Sequence, residues 1–203
     1  MKRLALAALA ALLLAAFQPG RCLAQPPAPN HLAGIELGGN AASFRELLNI
    51  KTARKIEETP WLSRVDFKPT DYFRGGYAVF GECSSPGRIV RLKLKYRDES
   101  MDFFRKVIMN LLDRYGNPSE YKGDLEGQVM GNKWSFTDAA GNSISLIVQR
   151  YVGDDLDMTR GNIIKLTDWT LMDAERSCYV FRHGAQTPPP APKTPDFEGF
   201  LPK

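Results

Sequence analysis

The sequence predicts a single α+β domain in which helices pack on one face of an antiparallel sheet. Three observations lead to this prediction. Residues 101–115 have the apolar spacing of a helix, several other segments alternate apolar and polar residues as strands do, and short turns join neighbouring strands. Short turns between consecutive strands require antiparallel pairing. Helices that follow such strands then cover the sheet instead of alternating with it.

The N-terminus has the pattern of a cleavable export signal. A basic pair, Lys2-Arg3, precedes the apolar run of residues 4–17, and Pro19-Gly20 ends the run. That run is shorter than the about 20 residues that span a membrane. It therefore favours a secretory signal over a membrane anchor. We expect cleavage after Ala24 and no transmembrane anchor in the mature chain.

Removing residues 1–24 changes the electrostatic character of the protein. Three basic residues leave (Lys2, Arg3 and Arg21) and no acidic residue leaves, so the formal net charge falls from +4 to +1. A domain with nearly balanced charge lacks the strongly basic character of nucleic-acid-binding proteins. We expect no nucleic acid among its partners.

Two cysteines, Cys83 and Cys178, remain after cleavage. In an oxidising compartment an isolated pair of this kind is most simply a disulfide. Closing so long a loop contributes ~4–5 kcal/mol in the chain-entropy model, and measured values are often lower. A catalytic thiol would need a positioned base, and the sequence offers none.

Proline marks both ends of the mature chain as tails. Ten of the 14 prolines lie outside residues 31–182, in two clusters at either end. Such segments favour extended polyproline II structure and cannot bury a core. We predict a disordered proline-rich segment at 25–33, an α+β domain at 34–182 and a disordered proline-rich tail at 183–203.

The clearest helix lies at residues 101–115. Ser100 provides an N-cap, and apolar residues recur at helical spacing from Phe104 to Tyr115. Gly116 supplies a left-handed stop, and Pro118 prevents continuation.

Two further helices are predicted from capping signals. Ser43 begins a capping box, which predicts a helix at 43–50. Thr170 and Asp173 predict a capped helix at 171–182, whose apolar face includes Cys178. That face would direct Cys178 towards the sheet.

The predicted strands follow from alternation and turn signals. The clearest is at 90–96, where Val90, Leu92, Leu94 and Tyr96 alternate with Arg91, Lys93 and Lys95. The segments 134–137 and 143–151 flank a glycine-containing turn and predict a hairpin. The other predicted strands are 77–83, 162–169 and a short edge strand at 64–68.

The composition weighs against several catalytic chemistries. Both histidines, His31 and His183, lie in the predicted tails, so the domain has no base for a serine–histidine–acid triad and no histidine for a zinc site. We predict no catalytic set, no metal and no cofactor.

Two acidic segments leave weaker alternatives. Asp154, Asp155 and Asp157 lack the alternation and the glycine of an EF-hand calcium loop, which favours an ordinary solvated turn. Asp124 and Glu126 would supply paired acids for glycosidic cleavage, but any chain of this size contains such pairs.

The basic side of the 90–96 strand is the main binding candidate. Arg91, Lys93 and Lys95 project to one side of the strand, and Arg88 precedes them. This surface fits an anionic polymer, lipid headgroups or an acidic protein partner. The alternative is a solvated face that keeps the sheet soluble and unpaired. For Trp61, Tyr72 and Phe73, core packing is favoured over an exposed contact role.

Two segments resemble exported bacterial proteins. FRKVIMNLLDRYGNPSEY, residues 104–121, is similar to a helix, turn and proline pattern of small exported bacterial proteins without an assigned function. Residues 34–38 resemble the opening of small envelope lipoproteins with a helix-plus-sheet module, of the outer-membrane assembly and β-lactamase-inhibitor-like types. The chain lacks the lipidation box of those lipoproteins. The resemblance implies a scaffold that binds other proteins, and it carries over no site residues.

Two functional hypotheses follow from these features. The preferred one is a periplasmic or secreted, non-enzymatic interaction domain that contacts an envelope protein or an anionic polymer. The alternative is a small-ligand carrier or hydrolase with a groove between sheet and helix, gated by residues 122–132.

Overall fold

The computed structural model describes residues 26–153 and 159–184. Their regular elements comprise ten strands and two α-helices. The strands are β1 His31–Leu32, β2 Ile35–Glu36, β3 Leu48–Ile56, β4 Thr59–Phe67, β5 Phe73–Gly81, β6 Ile89–Tyr96, β7 Glu120–Tyr121, β8 Val129–Thr137, β9 Ser143–Tyr151 and β10 Gly161–Asp168. The helices are α1 Met101–Tyr115 and α2 Trp169–His183.

Eight strands form one antiparallel sheet with the order β3-β4-β5-β6-β10-β9-β8-β7. The first four and the last four are consecutive in the chain, so each half of the sheet is a meander. The two meanders meet where β6 pairs with β10, and α1 lies in the connection between them. This architecture confirms the predicted class, a single α+β domain with helices packed against an antiparallel sheet.

The helix α1 has the predicted bounds and caps. The Ser100 side chain accepts a hydrogen bond from the backbone N–H of Phe103, and Gly116 has a φ of 72° while its N–H donates to the carbonyl of Leu112. The apolar stripe of α1 packs against the main core, which contains Leu92, Trp134 and the other inward residues of the sheet.

The structure refines the prediction that the helices share one face. α1 covers the face that carries Ala78 and Leu92, whereas α2 packs against Val79 in a second cluster. Adjacent residues of a strand point to opposite faces, so the start of α2 lies on the side away from α1. The cause is local: Asp168, the last residue of β10, caps α2 itself by accepting from the N–H of Leu171. The helix therefore begins at Trp169, directly after the strand and two residues before the predicted start at 171.

The predicted helix at 43–50 is wrong. Asn40 is the actual cap, since its side chain accepts from the N–H of Ala42, and only a 3-10 turn, Ala41–Phe44, follows it. β3 starts at Leu48 and pairs with β4, so β3 is the edge of the sheet in place of the predicted strand at 64–68. Tertiary pairing has overridden the local capping signal at Ser43.

The N-terminal segment differs from its prediction as well. Residues 26–33 were expected to be disordered, but Ala28 packs against the main core and β1 pairs with β2. The predicted signal at 1–24 and most of the predicted tail, residues 185–203, lie outside the described residues.

The disulfide is confirmed and fixes α2 to the turn between β5 and β6. Cys83 and Cys178 are bonded, with their Cα atoms 5.8 Å apart and 95 positions between them in sequence. One helical turn earlier, the buried carboxylate of Glu175 accepts four backbone N–H bonds at 2.5–3.1 Å. The donors belong to the consecutive residues 82–85. The disulfide and the Glu175 carboxylate together hold α2 against the sheet.

Candidate binding face

Basic side chains gather on the sheet face opposite α1. Residues paired on neighbouring antiparallel strands point to the same side of a sheet. The register of the strands therefore places these basic side chains on one face. Three other strands add basic residues to those of β6. On β10, Lys165 lies opposite Lys93, and on β8, Lys133 lies across β9 from Lys165. On β4, Arg64 lies across β5 from Arg91. We call this set the basic face: Arg64, Arg91, Lys93, Lys95, Lys133 and Lys165.

Three of the four predicted binding residues lie on this face. Arg91, Lys93 and Lys95 are partly buried and project together from β6. Arg88 lies apart from them, exposed in the turn before β6, where its backbone bridges to Asn40. Alternation therefore located the β6 residues correctly, and the turn position of Arg88 removes it from the row.

Lys93 and Lys165 are directly opposite each other on adjacent strands. Like charges in this position destabilise a sheet. Lys93 donates to the Thr159 hydroxyl at 3.0 Å, a neutral acceptor. Within residues 26–153 and 159–184, neither lysine forms an ion pair with a carboxylate.

The other cations of this face have mostly neutral contacts. Arg91 donates to the Thr167 hydroxyl at 3.2 Å and lies 5.5 Å from the ring centroid of Trp169. Arg64 lies 5.8 Å from the ring centroid of Tyr77. Lys133 differs, because it forms an ion pair with Glu120 at 3.4 Å.

Burial and mutual repulsion shift the titration of this face. The pKa of Lys165 is lowered to about 8, first by burial and then by the positive charges of four neighbouring basic side chains. Burial, followed by repulsion from Lys95 and Arg91, also lowers the pKa of Lys93. Both shifts mean that the charged form is less stable here than in water. The face therefore holds positive charge at a cost in free energy.

A groove of about 450 Å³ opens at one end of the basic face, between the sheet and the start of α2. Its aromatic walls are Trp61, Tyr77 and Trp169, which come from β4, β5 and α2. Three guanidinium groups line it (Arg64, Arg91 and Arg176), and two carboxylates, Glu58 and Asp173, complete its charged lining.

Tertiary contacts hold the walls of the groove in place. The indole N–H of Trp169 donates to the Ser145 hydroxyl at 2.9 Å, and the ring of Trp61 packs 5.5 Å from that of Tyr179. The disulfide at Cys178 and the hydrogen bonds to the Glu175 carboxylate fix α2, the helix that carries Trp169 and Tyr179. The groove is therefore a defined feature of the folded domain.

The three aromatic residues considered as contacts have three different environments. Phe73 is buried in the main core, Tyr72 is 77% exposed, and Trp61 is partly buried in the groove. Phe73 therefore meets the expectation of core packing, Trp61 meets it in part by packing against the second cluster, and Tyr72 does not meet it.

The remaining candidates do not converge on this groove. Residues 122–132, predicted to gate a groove, do not line it, and the last four of them begin β8. Asp124 and Glu126 are exposed, and the Asp124 carboxylate accepts from the N–H of Val129. Asp154, Asp155 and Asp157, the calcium alternative, lie outside the described residues.

The two histidines lie in different elements of the fold and have different neighbours. His31 is in β1 near Glu36, at 4.0 Å, and His183 ends α2 and stacks on Tyr179. In the described part of the chain, no three histidine, cysteine or acidic side chains come together as metal ligands would.

Comparisons with protein-family models, with curated proteins and with solved structures found no match. Within the described segments, neither helix has the length and apolar character needed to cross a membrane. The disulfide fits a protein of an oxidising compartment.

Proposed function

We propose that this chain is an exported, non-enzymatic binding protein of the cell envelope, periplasmic or secreted, whose basic face binds an anionic partner. The signal pattern at residues 1–24 and the Cys83–Cys178 disulfide support export. The main support for binding is the pair Lys93 and Lys165, opposite each other, partly buried and without a carboxylate partner among the described residues.

The cost of this arrangement favours a role in binding over a role in solubility. Charges that keep a sheet soluble need only be exposed, and exposed lysines cost little. Here burial and like-charge repulsion both act against Lys165. An anionic partner would relieve the repulsion and supply the missing counter-charge.

A salt-elution experiment tests this proposal. The chain from Gln25 to Lys203 is bound to immobilised poly-glutamate and eluted with rising salt, because electrostatic binding weakens as charges are screened. We expect the double variant K93Q/K165Q to elute at clearly lower salt than the wild type. The control R105Q/K106Q removes the same charge from exposed positions on α1. Equal elution of the two double variants would overturn the proposal.

Export is tested separately by N-terminal sequencing of the native protein. We expect a mature chain that begins at Gln25. A chain that keeps Lys2 in a cytosolic fraction would contradict this part of the proposal.

The groove gives specific support to a second candidate function, a carrier of a small anionic ligand. Its volume of about 450 Å³ is within the range of small-molecule sites. Mass spectrometry of material released on denaturing the native protein distinguishes the candidates. A stoichiometric small molecule would favour the carrier, and its absence would favour the binding protein.

A further inference from the structure

We infer that the groove beside α2 is a docking site for a polypeptide segment that presents a large apolar or aromatic side chain next to carboxylates. This inference rests on the proposed function, since it names the chemical class of the anionic partner. It depends on three features of the groove: its lining residues, its mixture of charges and its continuity with the lysines of the basic face.

The lining residues are those that dominate protein–protein recognition. Trp61, Tyr77 and Trp169 supply rigid aromatic surface, and Arg64 and Arg91 lie beside these rings. Tryptophan, tyrosine and arginine are the residue types most enriched at the energetically dominant positions of protein interfaces. At 38% exposure, Trp169 keeps part of its indole surface open to an incoming side chain.

The mixture of charges favours a polypeptide over a uniformly anionic polymer. Glu58 and Asp173 line the same groove as the guanidinium groups, and they would repel a chain that carries a negative charge on every unit. A polypeptide avoids this repulsion, because an apolar side chain or a backbone N–H can face those two carboxylates. An acyl chain is disfavoured as well, since the apolar walls are interrupted by charged groups.

The groove continues into the lysines of the basic face. Tyr77 in its wall is paired with Lys93, and Lys93 is paired with Lys165 on the next strand. Neighbouring strands are about 4.8 Å apart and an extended peptide advances about 3.3 Å per residue. A segment with its aromatic side chain in the groove therefore brings carboxylates within a few residues to both lysines.

Peptide titration tests the inference with the chain from Gln25 to Lys203. The probe is a short blocked peptide with one phenylalanine between glutamates, and binding is followed by the fluorescence of the tryptophans in the groove. Two matched peptides replace the phenylalanine with alanine or the glutamates with glutamines. We expect each replacement to weaken binding by at least about tenfold, the loss typical of an interface anchor.

Protein variants place the binding in the groove. R64Q and Y77L should each weaken the binding of the parent peptide by at least about fivefold. The controls R105Q, on α1, and Y72L, at an exposed tyrosine, should bind as the wild type does. Circular dichroism verifies folding, and if Y77L does not fold, R64Q and the peptide replacements still decide the outcome.

The outcomes separate this inference from the proposed function. If the alanine peptide binds as tightly as the parent while poly-glutamate still needs Lys93 and Lys165, the inference fails and the proposed function stands. If neither the peptides nor poly-glutamate bind, both fail.

Discussion

The carboxylate of Glu175 should be one of the most important single groups for the stability of the domain. It is 1% exposed, and its two oxygens accept four backbone N–H bonds from residues 82–85. Glu175→Gln keeps the size of the side chain but leaves one acceptor oxygen, and the new amide N–H group would face backbone donors. At least one of these four partly or fully buried N–H groups then loses its partner.

The magnitude follows from those bonds. An unsatisfied buried N–H costs about 1–3 kcal/mol, and the bonds that remain lose their charge assistance, about half of their strength. Because contributions within one network overlap, we expect a loss of about 3–5 kcal/mol in the free energy of unfolding. For a chain of this size, that corresponds to a fall of at least about 6 °C in melting temperature.

Thermal melts of the oxidised protein measure this effect. Glu82→Gln is the matched control, because it makes the same charge change with an exposed side chain, in the turn whose backbone Glu175 holds. We expect the control to melt within about 2 °C of the wild type. If Glu175→Gln also stays within that interval, the four N–H bonds do not stabilise the fold as argued.

Two further predictions concern the Cys83–Cys178 disulfide and the basic face. Replacing Cys83 and Cys178 together by serine should lower the free energy of unfolding by up to ~4–5 kcal/mol, measured by urea denaturation; reductant should destabilise the wild type but leave the double variant unchanged. Lys165 has a folded pKa of about 8 against 10.5 in the unfolded chain, so between these values the unfolded state binds more protons and stability should rise with pH. Lys165→Met should lose that rise, melt higher than the wild type at neutral pH and bind poly-glutamate more weakly; a lower melting temperature at neutral pH would contradict the argument that this lysine is held at a cost.

Local signals account for the elements that the sequence predicted well. The bounds of α1 were correct because Ser100, the apolar stripe and Gly116 all lie within or next to the helix. β3 was missed because a bulge between Asn49 and Arg54 breaks its pairing with β4, and as an edge strand it has only one buried residue. Such a strand shows no alternation, so only its partner strand identifies it.

The candidate site was predicted only as far as one strand. Alternation within β6 identified Arg91, Lys93 and Lys95 as neighbours on one side. The same rule applied to β10 would have placed Lys165 between two other outward residues, but which strand lies beside β6 depends on the order of the sheet. A groove between sheet and helix was expected only as an alternative, and its lining could not be predicted, since Trp61 and Trp169 come together there only after the two halves of the sheet have joined.

The pairing of β6 with β10 has a consequence for how the domain folds. Each meander needs only contacts between consecutive strands and can form early, whereas this central seam closes across the whole connection that contains α1. Pairings between distant segments form slowly because loop-closure entropy opposes them. This pairing also places Lys93 opposite Lys165, so like-charge repulsion opposes the same long-range step. We therefore expect added salt, which screens that repulsion, to accelerate the joining of the two halves.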